Sequence, residues 1–440
     1  MNSHSPSLRC HAISLGCPKN RVDTERLLGS LGIPLTFIDY PNNADFVFIN
    51  TCSFIHTAVQ ESVNTILQLV ADVEELSEKP FIIVAGCFVG RYGEKILKKD
   101  IPEVDLWLDN KEIESWNEQI LLALNIKSTF LVTDRIITTG KSYAWLKISD
   151  GCQHSCSFCT IPSIRGSLHS YSIDELVKES RHILDQGVKE LVLVAQDVTA
   201  WGRDLPNNYG LKTLLDHLLV LDGLKRLRLM YLYPTGLTKD FLLYLKSVGE
   251  PFVPYFDVPI QHAHPDILSC MGRPFAKNPR KVIDNIRSVF PEAVLRTSVI
   301  TGFPGETEGH HVYLSKFIEE IKFQHLGIFS YVAEAGTPAA VMPNQVGEKV
   351  KEQRKAELME IQLKISEKWL KNFVGKRLSL IVDNVHPEWP ELYTGRAWFQ
   401  APEVDGMVYI SGPNIKPGEL IEADIMESHS YDLVALADSY

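Results

Sequence analysis

The first three quarters of the chain alternate short runs of apolar residues with longer amphipathic segments. Continuous apolar runs, such as Phe-Ile-Ile-Val-Ala at residues 81–85, are typical of strands that are covered on both faces of a parallel α/β sheet. In the N-terminal third the pattern predicts strands at residues 11–15, 46–50 and 81–85, with helices at residues 23–30, through residue 70 and at residues 92–98. We therefore expect an N-terminal α/β domain with a parallel sheet.

A second series of strands and helices begins at residue 143. The predicted strands are residues 143–149, 191–195, 227–231, 255–260, 294–301 and 326–331, and the predicted helices are residues 173–186, 211–221, 238–247, 278–290 and 308–323. Successive βα units form parallel sheets, and six of them predict an incomplete TIM-like (β/α)6 barrel. Functional sites of such barrels lie at the carboxyl ends of the strands.

The pattern changes again in the last quarter of the chain. A charged amphipathic helix at residues 348–373 is expected to pack on the flank of the barrel. Short strands at residues 378–382, 393–397, 407–410 and 420–427 are separated by glycine turns and predict a small OB-like β-barrel. The expected domains are residues 8–122, 138–370 and 372–438, with a loosely patterned connector within residues 110–140.

Composition and charge restrict the compartment and the partners. No apolar run is as long as a membrane span, and residues 1–10 lack the apolar core of a signal peptide, so we expect a cytoplasmic protein with no membrane partner. We also expect a monomer. The 55 acidic and 44 basic side chains give a net charge of −11, which repels polyanions and attracts basic partners.

Three of the eight cysteines, Cys17, Cys52 and Cys87, each follow the carboxyl end of a predicted N-terminal strand. We call them the sheet cysteines. Ligands bind at that edge of an open α/β sheet, and a nearby helix N-terminus favours the thiolate form of cysteine. Three such thiolates are candidates to hold a metal cluster that keeps one iron free of protein ligands. The alternative is three unrelated cysteines in the core, where free cysteine is common.

Three further cysteines, Cys152, Cys156 and Cys159, follow the strand at residues 143–149 with the spacing C-x3-C-x2-C. We call them the motif cysteines. A loop that brings three thiolates together suits an iron–sulfur cluster, and three protein ligands leave one iron open to a substrate. A zinc site completed by His154 or a distant residue is the alternative. A disulfide is disfavoured because the motif has three cysteines, an odd number, and because the expected compartment is reducing.

The motif spacing after the first strand of a barrel resembles the radical S-adenosylmethionine (SAM) superfamily. The chain as a whole resembles the methylthiotransferase family, which combines an N-terminal three-cysteine domain, a radical-SAM barrel and a C-terminal TRAM domain. The matching residues are 14–20 (Ser-Leu-Gly-Cys-Pro-Lys-Asn), 50–52 (Asn-Thr-Cys), 85–87 (Ala-Gly-Cys), 151–162 and 165–166 (Arg-Gly). One departure is Ala-Gln-Asp at residues 195–197, where many radical-SAM enzymes have Gly-Gly-Glu, so the contact to the SAM amino group is open.

The resemblance implies two 4Fe-4S clusters and SAM as cofactors. A cluster on the motif cysteines would bind SAM and cleave it to a 5′-deoxyadenosyl radical, which removes a hydrogen from the substrate. A cluster on the sheet cysteines would hold a sulfur that a second SAM methylates before transfer. Polar and glycine-rich stretches after the barrel strands supply candidate SAM contacts: Gln196, Asp197, Gly302 and Gly305. His262, also at a strand end, is more typical of a hydrogen-bonded residue at the edge of the core.

Within the family the chain most resembles the branch that modifies ribosomal protein S-12, through residues 147–152, 257–263 and 430–433. That branch implies methylthiolation of an aspartate β-carbon. Residues 372–440 hold 4 basic and 11 acidic side chains, a balance that favours a basic protein substrate over RNA. A tRNA adenosine methylthiotransferase and a non-enzymatic iron–sulfur scaffold or electron carrier are the alternatives. The sequence has no signature for the sulfur donor or the electron donor.

Overall fold

The computed structural model describes residues 7–126, 135–207 and 209–437, which fold into two compact units. The first unit consists of Met1–Thr138, Asp150–His154 and Cys159–Leu168, and the second of Thr139–Ser149, Ser155–Phe158 and His169–Tyr440. Residues 127–134 of the predicted connector and residue 438 of the predicted β-barrel lie outside the described residues. The domain limits given above stay predictions.

The first unit is built on a five-stranded parallel sheet with the order β2-β1-β3-β4-β5. Its strands are β1 (Leu8–Ser14), β2 (Leu35–Phe37), β3 (Phe46–Thr51), β4 (Phe81–Gly86) and β5 (Leu106–Asp109). Its helices are α1 (Pro18–Ser30), α2 (His56–Glu74), α3 (Cys87–Tyr92), α4 (Glu94–Asp100), α5 (Trp116–Ala123) and α6 (Ile161–Arg165).

The two faces of this sheet carry separate apolar cores. Val47 and Ile49 of β3 pack with residues of α2 on one face, whereas Phe46 and Phe48 pack with residues of α1 and α5 on the other. Alternation of this kind along one strand shows that both faces are covered. The expected parallel α/β domain is therefore confirmed, and β2 and β5 are additional strands.

Two N-terminal helices differ from the sequence-based expectation. Helix α1 begins at Pro18 rather than at residue 23, because proline at the first helical position needs no hydrogen bond from its nitrogen. The helix predicted at residues 92–98 is instead two short helices, α3 and α4, which are separated at Gly93 with φ of +83°. As a result, Cys17 and Cys87 stand directly at helix N-termini.

The second unit contains a six-stranded parallel sheet in chain order, β6-β9-β10-β11-β12-β13. The strands of this part are β6 (Tyr143–Lys147), the two-residue strands β7 (Ser149–Asp150, of which Asp150 belongs to the first unit) and β8 (His169–Ser170), β9 (Glu190–Val194), β10 (Arg226–Leu229), β11 (Phe252–Asp257), β12 (Val294–Thr301) and β13 (His325–Ser330). Its helices are α7 (Ile173–Asp185), α8 (Leu211–Leu218), α9 (Lys239–Val248), α10 (Pro265–Cys270), α11 (Arg280–Val289), α12 (Glu308–Ile321) and α13 (Glu348–Leu370). This is the expected incomplete (β/α)6 arrangement, with α10 as an unpredicted helix.

The C-terminal part of the second unit is a closed five-stranded β-barrel with the order β14-β15-β16-β18-β17. Its strands are β14 (Arg377–Val385), β15 (Leu392–Ala397), β16 (Val408–Ser411), β17 (Leu420–Ser428) and β18 (Leu433–Ala437). Four of these were predicted, and β18 completes the closure. Helix α13 packs against α12 and β13, as expected for a helix on the flank of the six-stranded sheet.

Buried ion pairs attach this β-barrel to the six-stranded sheet within the second unit. Glu190 of β9 accepts hydrogen bonds from Arg228 Nε at 2.7 Å and from Arg396 Nη1 of the β-barrel at 2.8 Å. Nearby, Tyr255 donates from its hydroxyl to Asp405 Oδ2 at 2.6 Å. These contacts involve side chains that are almost entirely shielded from solvent. Among the described residues, no helix is both long enough and apolar enough to cross a bilayer.

Candidate functional site

The sheet cysteines lie together at one edge of the first unit's sheet. The strand register aligns Ser14 of β1 with Asn50 of β3 and Ala85 of β4. The three cysteines come two or three residues beyond this row, and neighbouring strands are about 4.8 Å apart. The topology therefore brings the three predicted residues to the same place.

Hydrogen bonds between the loops hold the three strand ends in position. Thr51 donates from Oγ1 to the Ala85 carbonyl at 2.5 Å, and Ser53 donates from Oγ to the Cys87 carbonyl at 2.7 Å. Asn20 donates from Nδ2 to the Thr51 carbonyl at 2.9 Å. Each of these donors is buried, so the loops at this edge are built as one piece.

A glycine before Cys17 makes room for Cys52. Gly16 has φ of +83°, and a Cβ added there would lie 2.4 Å from Cys52 Cβ and 2.7 Å from Cys52 Sγ. The left-handed backbone and the close approach both exclude a larger residue. The sequence therefore requires glycine at this position in order to place the first two sheet cysteines side by side.

The charges around the sheet cysteines act on each thiol differently. Burial would raise the pKa of Cys17, but the positive charges of Lys19 and Arg165 and backbone N–H groups of α1 lower it. Burial, together with the neighbouring Cys17 and Cys87, raises the pKa of Cys52 to about 12. Because negative charges on neighbouring sulfurs oppose each other, positive charge is needed nearby to keep all three thiols ionised.

Arg165 of α6 is the main cation at this edge. Its side chain is 2% exposed, and its Nε donates to Cys87 Sγ at 3.3 Å. Its Nη1 donates to Asp150 Oδ2 at 2.7 Å and Asp23 Oδ2 at 3.2 Å, and its Nη2 donates to Asn20 Oδ1 at 2.5 Å and Asp23 Oδ2 at 3.2 Å. Arg165 belongs to one of the stretches that match the family, but nothing in the sequence indicates its contact with a sheet cysteine.

The motif cysteines are divided between the two units. Cys152 and Cys159 belong to the first unit and Cys156 to the second. In the first unit, Cys152 donates its N–H to the Gly166 carbonyl at 3.2 Å, and the N–H of His154 points to Cys152 Sγ at 3.5 Å. The first unit thus contains five of the six cysteines that the sequence singled out.

Packing and hydrogen bonds in the second unit fix the segment around Cys156. Ser157 donates its N–H to the Met271 carbonyl at 3.1 Å, and Phe158 meets Phe303 edge to face with ring centroids 6.5 Å apart. The Cys156 sulfur accepts a hydrogen bond from Arg273 Nη1 at 3.2 Å. Nothing in the sequence points to Arg273, which lies 117 residues away from Cys156 along the chain.

Of the predicted SAM contacts, Asp197 and the glycine loop already make internal hydrogen bonds. Asp197 Oδ1 accepts from the N–H of Thr199 at 2.9 Å and from its hydroxyl at 2.6 Å. Gly302 donates its N–H to Glu306 Oε2 at 2.7 Å, and Gly305 donates its N–H to the Asn344 carbonyl at 2.9 Å. The assignment of Gln196, Asp197, Gly302 and Gly305 to SAM stays a prediction. A contact from the glycine loop would have to use its carbonyl or Cα groups.

His262 is a buried neutral imidazole beside the glycine loop. Burial and the positive charges of neighbouring groups lower the pKa of His262 to about 3. Its Nδ1 accepts the N–H of His264 at 2.9 Å, so the ring proton is on Nε2, which lies 3.7 Å from Glu306 Oε2. Burial raises the pKa of Glu306, against the lowering effect of Arg354. Glu306 in turn accepts the N–H groups of Gly302 and Phe303 and so holds the glycine loop in place.

One group of possible metal ligands lies away from the cysteines. Nitrogen and oxygen atoms of His264, Asp266 and His310 all lie within 4.8 Å of one another. However, His264 Nδ1 accepts the N–H of Asp266 at 3.2 Å, and His310 Nδ1 accepts the N–H of Thr307 at 3.2 Å. Each imidazole therefore already caps the N-terminus of a helix, and the Asp266 side chain is 78% exposed. We assign these residues a structural role.

Comparison with known proteins places all three parts of the chain. Residues 9–109 match the family model described as Uncharacterized protein family UPF0004, residues 146–318 match the Radical SAM superfamily, and residues 374–437 match the TRAM domain. A curated protein of Nitratidesulfovibrio vulgaris, named ribosomal protein uS12 methylthiotransferase RimO, is 57% identical over 97% of this chain and 99% of its own length. The protein of the same name from Aquifex aeolicus is 43% identical over 97% and 96% of the two chains.

The chain belongs to the RimO family of radical-SAM methylthiotransferases. This membership confirms the resemblance, the fold class and the class of enzyme expected from the sequence. It also implies SAM and a 4Fe-4S cluster as cofactors.

Solved structures support the fold of this RimO-family chain. The radical SAM methyltransferase TsrM from Kitasatospora setae, with cobalamin and a 4Fe-4S cluster bound, aligns with a TM-score of 0.55 at 12% identity over 76% of this chain and 77% of that chain. The cobalamin-dependent SAM radical enzyme OxsB aligns with a TM-score of 0.51 at 12% identity over 82% and 56% of the two chains. At such low identity, the likeness shows the fold alone.

The residues at the sheet edge fit a cluster with three thiolate ligands. Three sulfur donors lie at one edge, two of them buried, and the cations Arg165 and Lys19 lower the pKa of Cys17. This donor set matches the thiolate chemistry of iron–sulfur clusters. Three ordinary core cysteines would not call for a buried arginine that donates to one of their sulfurs.

Proposed function

We propose that this chain attaches a methylthio group to the β-carbon of an aspartate in ribosomal protein uS12, with SAM as radical source and methyl donor. Relatives that cover 97% of the chain have uS12 in their names. The structural observation that carries the proposal is that the three sheet cysteines share one compact unit with Cys152 and Cys159. We further propose that the protein acts as a cytoplasmic monomer.

Two 4Fe-4S clusters are proposed, one held by the sheet cysteines and one by the motif cysteines. When bound, the clusters and SAM supply one-electron and methylthio chemistry, which an unactivated C–H bond requires because it offers no acid–base route. The chain gives two of the ligand sulfurs a positively charged hydrogen-bond donor. It does so with Arg165 next to Cys87 and Arg273 next to Cys156.

The chain also fixes the motif segment and keeps water away from it. Phe158 and Phe303 belong to an apolar cluster with Ile267, Leu268 and Met271. Since Phe158 lies between Cys156 and Cys159, this packing anchors the motif on the second unit's side. Exclusion of water protects reactive intermediates from side reactions.

The charge of the C-terminal β-barrel favours a basic protein as substrate. Asp383 and Asp405 are used in contacts with Arg396, Tyr255 and His325, and Arg396 is buried. The other charged side chains of residues 372–437 are three basic and eight acidic: Lys376, Arg377, Lys416, Glu388, Glu391, Glu403, Glu419, Glu422, Asp424, Glu427 and Asp432. This surface would repel a nucleic acid backbone and attract a basic protein.

Mass spectrometry after turnover with two competing substrates tests the proposal. The enzyme, reconstituted with iron and sulfide under anaerobic conditions, is incubated with SAM, a chemical reductant, and either a uS12-derived peptide or bulk tRNA. We expect a methylthio group on the aspartate of the peptide and unmodified tRNA nucleosides. A matched peptide with alanine in place of the aspartate should stay unmodified.

Two outcomes would replace this function with one of the alternatives. Methylthiolated adenosine together with an unmodified peptide would identify a tRNA enzyme. Failure to form 5′-deoxyadenosine from SAM in the presence of reductant would identify a non-enzymatic iron–sulfur protein. The Cys156→Ala variant provides the background level of 5′-deoxyadenosine for this second measurement.

A further inference from the structure

All five N–H groups of the Arg165 guanidinium are used within the first unit. One points to the Cys87 sulfur, two to Asp23 and one each to Asn20 and Asp150. A guanidinium has five N–H donors, so none is left for another partner. A buried side chain with every donor satisfied has one defined position.

The acceptors come from three separate parts of the chain. Asn20 and Asp23 lie on α1, Cys87 begins α3, and Asp150 lies two residues before Cys152. Arg165 itself ends α6, which Asn110 holds through a 3.0 Å hydrogen bond from Nδ2 to the Ile164 carbonyl. One cation thus ties a sheet cysteine to the segment that leads into the first motif cysteine.

Burial of a charge costs free energy unless paired charges and hydrogen bonds compensate it. Asp23, with 1% of its side chain exposed, and Asp150, with 16% exposed, compensate the charge. Salt bridges to carboxylates alone would not require the Nε atom to face a sulfur. The hydrogen bond from Nε to the Cys87 sulfur therefore points to a role of Arg165 at this cysteine.

We propose that Arg165 is a positioning residue of the sheet-cysteine site, where it orients the Cys87 sulfur, supplies it with an N–H donor and joins it to the Asp150–Cys152 segment. This inference rests on the proposed function, because it assumes that the sheet cysteines hold a cluster. Hydrogen bonds to cluster sulfurs and nearby positive charge raise the reduction potential, since they stabilise the more negative reduced state. Removal of Arg165 should therefore make the midpoint potential of this cluster more negative.

The test uses the full-length chain in a background that keeps only the sheet-cysteine cluster. The parent protein has all three motif cysteines replaced by alanine, so that every iron and every redox signal belongs to the sheet cysteines. Arg165→Gln removes the charge and the fork of donors, whereas Arg165→Lys keeps the charge but has three donors in a different geometry. Iron and labile sulfide per chain and the midpoint potential from a spectroscopic redox titration are measured for each protein.

We expect the parent to bind about four irons. Arg165→Gln should either lose iron or show a more negative midpoint potential, and Arg165→Lys should show a smaller change in the same direction. In Arg165→Gln the buried carboxylate of Asp23 loses its positively charged partner, which can prevent folding. The double variant Asp23→Asn with Arg165→Gln removes that negative charge as well, so the test does not depend on the folding of the single variant. Circular dichroism verifies the fold of each variant.

The matched control is Arg135→Gln. Arg135 is another buried arginine of the first unit, and it pairs with Glu25 rather than with a cysteine. This variant should keep the parent's iron content and midpoint potential. If it changed them as much as Arg165→Gln does, the effect of Arg165 would be general loss of packing and the inference would be wrong.

The failures of the two proposals can be told apart. A folded parent that binds no iron would contradict the cluster on the sheet cysteines, and with it the proposed function. A parent with about four irons whose iron content and midpoint potential are the same in Arg165→Gln and Arg165→Lys would contradict the role of Arg165 alone.

Discussion

Single side chains set the properties of each candidate ligand sulfur. Cys17 stands at the N-terminus of α1 and has a lowered pKa because the positive charges of Lys19 and Arg165 outweigh burial, whereas burial raises the pKa of Cys52. Cys156 receives its hydrogen bond from Arg273. The cysteines could be found from the sequence because each follows a strand or belongs to a short motif. The contacts with their arginine partners could not, because Arg165 and Arg273 lie 78 and 117 residues away from the cysteines that they contact.

Replacement of one cysteine from each set should separate the two sites. Cys52→Ala should lower the iron content of the reconstituted protein from about eight to about four irons and stop methylthio transfer, while SAM cleavage continues. Cys156→Ala should remove a similar amount of iron and abolish SAM cleavage. Iron analysis, together with chromatography of 5′-deoxyadenosine, measures both effects.

Cys10 offers a control for these substitutions. It is a buried core residue of β1, and its pKa is raised to about 12 by burial. Cys10→Ala should leave the iron content and SAM cleavage unchanged. An unchanged iron content in Cys52→Ala or Cys156→Ala would contradict the assignment of that cysteine.

At the scale of elements, the strands were easier to predict than helix α1, which begins next to Cys17. Strand β12 covers the same residues as predicted, since its segment is rich in β-branched residues and lies between Pro291 and Gly302. Helix α1, in contrast, buries Lys19, Asn20, Asp23, Thr24 and Glu25. A helix so rich in polar residues has the pattern of a solvent-exposed surface. Its burial depends on Arg165 and Arg135, which lie more than 100 residues away in the chain.

The attachment of the C-terminal β-barrel to the six-stranded sheet depends on a buried carboxylate. Burial opposes ionisation of Glu190, but the guanidinium groups of Arg228, Arg396 and Arg226 lower its pKa to about 2. Glu190→Gln would leave the buried Arg228 without its carboxylate partner and Arg396 with Asp383 alone, and it should cost about 3–5 kcal/mol in the free energy of unfolding at pH 7. Urea denaturation measures this difference. A loss below about 1 kcal/mol would show that the ion pairs do not hold the two parts together.

The same carboxylate makes a prediction about pH. Because the pKa of Glu190 is lower in the folded protein than its ordinary value of 4.5, its stabilising effect is complete above pH 4.5. The effect is lost as the pH falls from there towards about 2, where the folded-state group becomes protonated. The stability difference between wild type and Glu190→Gln should therefore shrink over this range. Lys364 and Glu360 form an exposed pair, so Glu360→Gln should give no measurable change at any pH.

At the scale of the whole molecule, the excess of acidic side chains predicts the kind of substrate that the enzyme attracts. The net charge of −11 alone does not indicate where a partner binds. The C-terminal β-barrel, however, has a local acidic surface that includes the exposed residues Glu419, Glu422 and Glu427 on and next to β17. Opposite charges increase the rate at which partners meet, and salt screens this effect. The surface should therefore affect capture of a basic protein without affecting the radical chemistry.

Neutralisation of this surface tests the idea directly. Replacement of Glu419, Glu422 and Glu427 by glutamine should raise the KM for uS12 about tenfold at low ionic strength and much less at high salt, while the rate of SAM cleavage without substrate stays the same. The matched control replaces three exposed acidic residues of the first unit, Glu61, Glu74 and Glu75, and so changes the net charge equally. If both triple variants raise KM to the same extent, the total charge rather than the β-barrel surface attracts the substrate. If neither does, uS12 is recognised by contacts other than these carboxylates.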